Sequence, residues 1–299
     1  MTKKRHHAVP QFYLRRFTDS AGLLWLHDLD NATAVQVRPS DALVEKYLYS
    51  PETGANPHDD TLEEFFAVHV EGPAAPALDT LARGAELPDE DRQRVAVFLA
   101  FQEIRVPRWR DLVTDFASKI GDRILKMSAA RPEYMRRVFD EMGEEVSDED
   151  LTRMIEGIES GGLSVEATKA AWFQSMHVAS ETAQMLYRMP WTVVEASRDV
   201  EFVTSDAPIA KVLTDRSVPP MYAGGWLSPS AESTFVLDPR CCLVIRPDGT
   251  EGRIAGPKAW CKNVNTRLIW QANRFVVSRA RETFVETVAR KRRAAGTMS

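Results

Sequence analysis

The sequence predicts an α+β fold in which a mostly helical middle, about residues 59–188, packs on an antiparallel sheet formed by an N-terminal hairpin and C-terminal strands. Three observations predict it. Apolar and polar residues alternate near the N-terminus, apolar residues recur every three or four positions through the middle, and short β-like runs follow Pro190. Strands and helices are thus segregated along the chain, which argues against a doubly wound parallel sheet. The 299 residues read as a single domain, 1–299. Its parts are a β-rich portion at 18–50 plus 190–278, the helical insertion, and a basic C-terminal helix and tail at 279–299.

The hairpin comes first. Leu24, Leu26 and Asp28 oppose Trp25, His27 and Leu29, Asp30-Asn31 supplies a turn, and a second run follows at Ala34 to Val37. From Asp59 to Leu81 the period becomes helical, with Leu62, Phe65, Phe66, His69 and Val70 recurring, and Gly72-Pro73 predicts an interruption. The next helix opens at Leu87-Pro88-Asp89-Glu90-Asp91, where a proline and first-turn acids suit a helix start. It runs through Val95, Phe98, Leu99, Gln102 and Arg105 until Pro107 kinks or ends it. Further helices are predicted over about Trp109–Met127, over Pro132–Met142 and after Ser147, whose hydroxyl suits an N-cap. Gly161-Gly162 marks a loop before a long helix from Ser164 to about Arg188, along which Gln174, His177, Glu181, Gln184 and Arg188 form a polar stripe. Strands follow at Trp191–Ala196, Val200–Thr204, Thr234–Leu237 and Cys242–Ile245, and a closing helix at roughly Arg279–Arg290.

With 44% hydrophobic and 27% charged residues, 15 Gly and 17 Pro, the composition excludes collagen-like, disulfide-scaffold and disordered classes. The longest strictly apolar run, Val95 to Phe101, falls far short of the ~20 residues that span a bilayer, so no membrane partner is expected. The opening also lacks the apolar core of a secretory signal. Cys241, Cys242 and Cys261 are odd in number and lack Cys-x-x-Cys spacing, which predicts buried reduced thiols in a cytoplasmic protein.

The net charge of -5 conceals two basic ends. Residues 1–17 carry five Lys/Arg and no acid, and Arg274 to Arg293 carry seven Lys/Arg against Glu282 and Glu286. Brought together, the ends would form a patch for an anionic small molecule or nucleic acid; left apart, they are solvated termini.

The segment from His6 to Phe17 gathers two imidazoles, the Tyr13 phenol and the Arg15 and Arg16 guanidiniums beside apolar residues that dock it on a core. Neighbouring side chains of an extended segment point to opposite faces. One histidine therefore suits an acid/base or metal-ligand role while the other bonds the backbone. Gln102 and Arg105 share a helix face, and Arg105 suits a bidentate hold on a phosphate or carboxylate; the structural alternative is an ion pair with Glu71 or Glu103. Ser205-Asp206-Ala207-Pro208 follows a predicted strand. Asp206 suits orienting a histidine or binding a cation, or else a turn in which it caps backbone amides, and Ser205 lacks the Gly-x-Ser-x-Gly elbow of a nucleophile.

These segments resemble the bacterial family of domain of unknown function 4238, whose signature His-His-x-Val-Pro-x-x-Tyr-Leu-x-x-Phe is matched at every fixed position from His6 to Phe17. Further matches follow in family order: Glu45-Lys46 with Leu48-Tyr49, Gln102, Arg105 and Pro107, Ser205 to Pro208, then Leu227-Ser228-Pro229 and Asn265 to Ser278. The resemblance implies a one-domain fold and carries no activity with it. It draws attention to His6, His7, Gln102, Arg105, Ser205 and Asp206.

No P-loop, dinucleotide-binding fingerprint, His-Glu-x-x-His or paired Cys-x-x-Cys is present. Three classes of function remain. A hydrolase acting on a phosphodiester or other anionic substrate would use His6 or His7 as acid/base, Arg105 to clamp the anion, and Asp206 to orient the histidine or a divalent metal. Gln102, Tyr13, Arg16 and Ser205 would bind its substrate. A non-catalytic binding or regulatory module would recognise nucleic acid through the basic ends. A metal-dependent oxygenase or tailoring enzyme would hold iron between His6 or His7, His177, and Glu71 or Asp206.

Overall fold

A computed structural model describes residues 5–50, 60–215, 225–228 and 230–296. Lys3, Lys4, Asp59, Pro229 and the last three residues of the basic tail, which entered the expectations above, lie outside the described residues. The chain is α+β, 50% helical and 18% strand. It divides into two compact units, one made of Met1–Arg108 with Met176–Ser299 and the other of Trp109–Ser175.

The first unit opens with β1 (Arg5–His7), helix α1 (Gln11–Leu14) and a 3₁₀ turn at Arg15–Phe17, followed by β2 (Leu24–Asp28), β3 (Thr33–Val37) and β4 (Val44–Lys46). The alternating run makes the β2–β3 hairpin, and β1 pairs antiparallel with β4 so that His6 lies opposite Glu45. Next, α2 (Thr61–Phe65) passes through a π turn at Phe66–Glu71 into α3 (Gly72–Arg83). The expected interruption at Gly72-Pro73 is therefore a widened turn inside a continuous helix. Pro73 has no N–H for the α-type bond to the His69 carbonyl, and the Gly72 N–H bonds five residues back to Ala67.

Helix α4 (Asp89–Ile104) starts with three acids in its first turn and buries Val95, Phe98, Leu99 and Gln102. Arg105 and Val106 separate it from α5 (Pro107–Ala129), whose first turn accommodates a proline at no hydrogen-bonding cost. Most of α5 belongs to the second unit, with α6 (Pro132–Met142), α7 (Asp148–Glu159) and α8 (Lys169–Ser175). Ser147 caps α7 by accepting the Asp150 N–H, and Ala129, Met135, Leu151 and Ile158 form this unit's core.

The long helix expected over Ser164–Arg188 is corrected to two, α8 and α9 (Val178–Arg188), so the polar stripe is split between them. Residues 164–168 lie outside any helix because side chains of α5 take their amides: Asp122 Oδ1 accepts the Val165 N–H and Ser118 Oγ accepts the Ala167 N–H. At the end of α8, Ser175 Oγ donates back to the Trp172 carbonyl and competes with the helical ladder.

The C-terminal part supplies β5 (Trp191–Glu195), β6 (Thr204–Ser205), β7 (Ile209–Leu213), β8 (Ala231–Asp238), β9 (Cys241–Ile245), β10 (Gly252–Ala255), α10 (Lys258–Gln271), β11 (Phe275–Ser278) and α11 (Thr283–Gly296). Five strands form one sheet in the order β10-β5-β9-β8-β7, antiparallel except for the parallel β10–β5 edge. The hairpin joins β11 and β6 in a second, antiparallel sheet ordered β3-β2-β11-β6. The strand expected over Val200–Thr204 is mostly irregular; the Phe202 N–H goes to the Pro239 carbonyl and the Val203 N–H to Asn265 Oδ1. Leu29, Val203, Ile269, Val276, Val285 and Ala289 pack α10 and α11 against the second sheet. All three cysteines are buried and free. Among the described residues, no helix is long and apolar enough to cross a membrane.

Candidate functional site

Pairing with β4 fixes the two opening histidines, and as adjacent strand residues they take different partners. The His6 ring stacks on Tyr49, and its Nδ1 accepts the Tyr49 N–H at 3.0 Å. In the neutral ring this places the proton on Nε2, which faces Asp60 Oδ1 at 3.4 Å. His7 Nε2 lies 2.9 Å from the Gln11 side-chain nitrogen and accepts from it. His7 Nδ1 is buried without a well-formed hydrogen bond. Burial lowers the His7 pKa to about 4, a shift the Ala42 backbone offsets only in part. His7 is therefore neutral at pH 7.

The π turn and α4 bring Arg105 to the same place. Its guanidinium is 1% exposed, and every one of its nitrogens has a partner: Nε donates to Tyr49 Oη (2.9 Å), Nη1 to Glu71 (2.7 Å) and Nη2 to the His7 carbonyl (2.6 Å). Phe66 covers its face, 4.5 Å from Cζ to the ring centroid. Burial disfavours the charge, but the Tyr49 and Glu71 oxygens outweigh it and hold the guanidinium protonated. Tyr49 Oη in turn donates to the His7 carbonyl, and burial pushes its phenol well above the usual range. Gln102, one turn before Arg105, donates to the Ala8 carbonyl at 3.0 Å. Two side chains from α4 thus grip the backbone of the opening segment. Glu103, the other candidate partner of Arg105, pairs instead with Lys211 and Trp226.

The remaining sequence-derived candidates sit elsewhere in the first unit. Tyr13 Oη donates to the Val236 carbonyl (2.7 Å) and shares a hydrogen bond with Thr204 Oγ1 (2.8 Å), joining the opening segment to both large sheets. Arg16 is paired with Asp79 and reaches the Ala75 and Leu237 carbonyls. Ser205 Oγ closes a small turn, accepting the Ala207 N–H and donating to the Ala207 carbonyl. Asp206 accepts three consecutive backbone amides, from Asn273 (2.7 Å), Arg274 (2.7 Å) and Phe275 (2.8 Å). Burial pushes its carboxyl up against the pull of those amides. Among the described residues, the hydrogen bonds of Asp206 go to this backbone and not to His6, His7 or Arg105. The structure brings His6, His7, Gln102 and Arg105 together and places Asp206, Ser205, Tyr13 and Arg16 in other contacts.

A family profile described as Protein of unknown function (DUF4238) matches residues 5–282, from β1 to the residue before α11. The chain is a DUF4238 protein. No curated protein and no solved structure matches it. The DUF4238 signature therefore maps onto a buried latch: its histidines and its Gln and Arg join the N-terminal strand to α4, and its tyrosine joins the next turn to the sheets. Sequence reasoning missed Tyr49 and Asp60 as members of this cluster. Tyr49 stood in a matched motif, but nothing in its local pattern marked its hydroxyl as the meeting point of Arg105 and the His7 backbone. Among the described residues no three His, Cys, Asp or Glu side chains converge as a metal-holding group, so the iron triad considered for His177 is not assembled.

The neutral imidazoles have a consequence for acid stability. His27, whose Nε2 lies 2.8 Å from Ser278 Oγ, is also lowered to about 4 by burial. For both rings the unfolded value, about 6.5, lies above the folded one, so as pH falls the unfolded chain takes up protons first. Their contribution is complete above pH 6.5 and is lost as pH drops toward 4. The melting temperature is expected to fall between about pH 6.5 and pH 5, a window above most carboxylate titrations. His7→Gln with His27→Asn is expected to flatten the decline; an unchanged slope in that variant would contradict the assignment.

Proposed function

We propose that this DUF4238 protein is a non-catalytic binding module that takes nucleic acid through its phosphates, on a basic surface at the C-terminal end of α10. A pair of arginines carries the reading. Arg108 donates to the Gln271 carbonyl at 2.7 Å, and Arg292 donates to the carbonyls of Ile269 (3.2 Å) and Asn273 (3.1 Å). Both cap the same helix end, and among the described residues neither has a carboxylate within ion-pair distance. Burial and then the Arg292 charge push the Arg108 guanidinium below its usual value, as expected for like charges held close together. Arg293, exposed, follows Arg292 directly and donates to the Asp30 carbonyl, while Arg274, exposed beside Asn273, is paired with Asp28. At the other end of the chain Arg5 is paired with Asp41 and Arg16 with Asp79, so among the described residues the reading rests on Arg108 and Arg292. The bonded state of His7, Arg105, Ser205 and Asp206 supports a reading that needs none of them as a reactant. Reduced, buried cysteines support a cytoplasmic setting.

The test is fluorescence anisotropy with a labelled 20-nucleotide single strand across 50–300 mM salt. Binding is expected to weaken with salt, and Arg108→Ala with Arg292→Ala is expected to cost about tenfold or more in affinity and to reduce the salt slope by about 1 to 2. No binding at the lowest salt, or a double variant that binds like the parent, overturns the proposal. A second reading, hydrolysis of the phosphodiester with His6 as acid/base, draws on one contact, His6 Nε2 facing Asp60. Cleavage of the strand during the titration, absent from His6→Gln, would favour that reading.

A further inference from the structure

Helix α5 carries an unusual surface along its length in the second unit. Leu112, Phe116, Ile120, Ile124 and Met127 are spaced four, four, four and three apart, and each is between 44% and 62% exposed. Single exposed apolar residues need no explanation, but five in register on one ridge do. The opposite face of the helix is occupied by the unit itself. The irregular segment at 164–168 lies there, tied through Asp122 and Ser118, and Val165 packs so closely on Gly121 that a Cβ would approach its Cγ1 to 2.6 Å. Leu125 and Ala129 turn into the unit's core. The ridge is thus neither the helix's inward face nor a frayed end.

The charges beside the ridge are ordered. Each of its first four residues is preceded by a charged one, and these read Asp111, Asp115, Lys119, Arg123: acids in the first half, bases in the second. All four side chains are exposed. Lys119 pairs with Asp115 and Asp111 with Arg110 within the helix, contacts that are weak at such exposure and readily exchanged.

We propose that α5 pairs with α5 of a second copy of this chain, antiparallel, about a two-fold axis level with Ser118. About that axis Phe116 meets Ile120 of the second copy and Leu112 meets its Ile124. The same operation lays the acidic half of the flank, Asp111 and Asp115, along the basic half, Lys119 and Arg123, of the second copy. A parallel pairing would set like charges opposite each other instead. Residues four apart form the ridge used in the commonest class of helix packing, and a self-complementary patch is what a two-fold interface requires. The five side chains expose roughly 500 Å² per copy, so a pair buries on the order of 1,000 Å², at the threshold for a specific interface. The pairing is independent of the nucleic-acid proposal, because it uses no residue of the basic surface.

Sedimentation or light scattering of the full chain over about 1 to 100 µM tests it. A mass rising from 33.6 kDa toward twice that value is expected. Phe116→Glu with Ile120→Glu is expected to hold the protein at the monomer mass with an unchanged circular dichroism spectrum, since both side chains face solvent in the single chain. Asp115→Lys alone is expected to weaken the dimer at least tenfold, and adding Lys119→Asp to restore it. A chain that stays monomeric at 100 µM, a dimer that survives the glutamate pair, or a charge swap that fails to rescue overturns the proposal.

Discussion

Replacing Arg105 with methionine is expected to destabilise the protein by about 3–5 kcal/mol, the cost of removing one member of a buried, fully bonded charge pair. Methionine fills the space of the aliphatic stem, so the loss comes from the partners left behind. Those are the Glu71 carboxylate, the Tyr49 hydroxyl and the His7 carbonyl, the last two buried. Urea denaturation followed by circular dichroism reads the loss as a lower midpoint. Arg105→Lys keeps the charge but cannot reach three oxygens with one ammonium, so only part of the stability is expected to return. Oligonucleotide affinity, measured where the variant is still folded, is expected to stay at the parent value. A loss below about 1 kcal/mol, the level of an exposed pair, would deny Arg105 a structural role.

Asp206→Ala is expected to cost on the order of 3 kcal/mol, because three neighbouring amides lose their acceptor at once. The three amides lie where the chain leaves α10 and enters β11, so the damage should fall on that loop and on the second sheet. Hydrogen exchange should show the amides of Asn273, Arg274 and Phe275 losing protection ahead of the five-stranded sheet. The substitution also removes a negative charge that acts on both Arg108 and Arg292. Affinity for the single strand is thus expected to hold or rise while stability falls. A fall in both would mean that the carboxylate belongs to a ligand site.

Local signals carried much of the fold. The β2–β3 hairpin is legible because one face of it meets the core and a short acidic turn joins the strands. Helices α4, α6 and α7 are legible from their starts, a proline or a serine ahead of acids, which act within one turn and need no tertiary partner. Helix α10 was missed although Cys261, Val264, Leu268 and Ile269 recur at helical spacing. Its pattern is broken by Asn265, a polar residue buried because its side chain serves the irregular backbone at Glu201 and Val203, a need visible only once the strand beside it is placed. The single helix over 164–188 failed for a related reason: amides of 165 and 167 bond to side chains of α5, some forty residues earlier. In the candidate site, the signature pointed to the right chain segments and left their roles open. Identical residue types serve as acid, clamp and base in a cleft, or as bonded partners in a core. Only burial and the count of satisfied atoms separate the two.

The latch rests on Tyr49 and Arg105 acting together, and a double-mutant cycle measures that. Urea denaturation of Tyr49→Phe, Arg105→Met and the double variant is expected to give a coupling of roughly 1–3 kcal/mol, because each removes the other's buried partner. Additivity within about 0.3 kcal/mol would contradict the latch, since the two side chains would then contribute to stability without depending on each other.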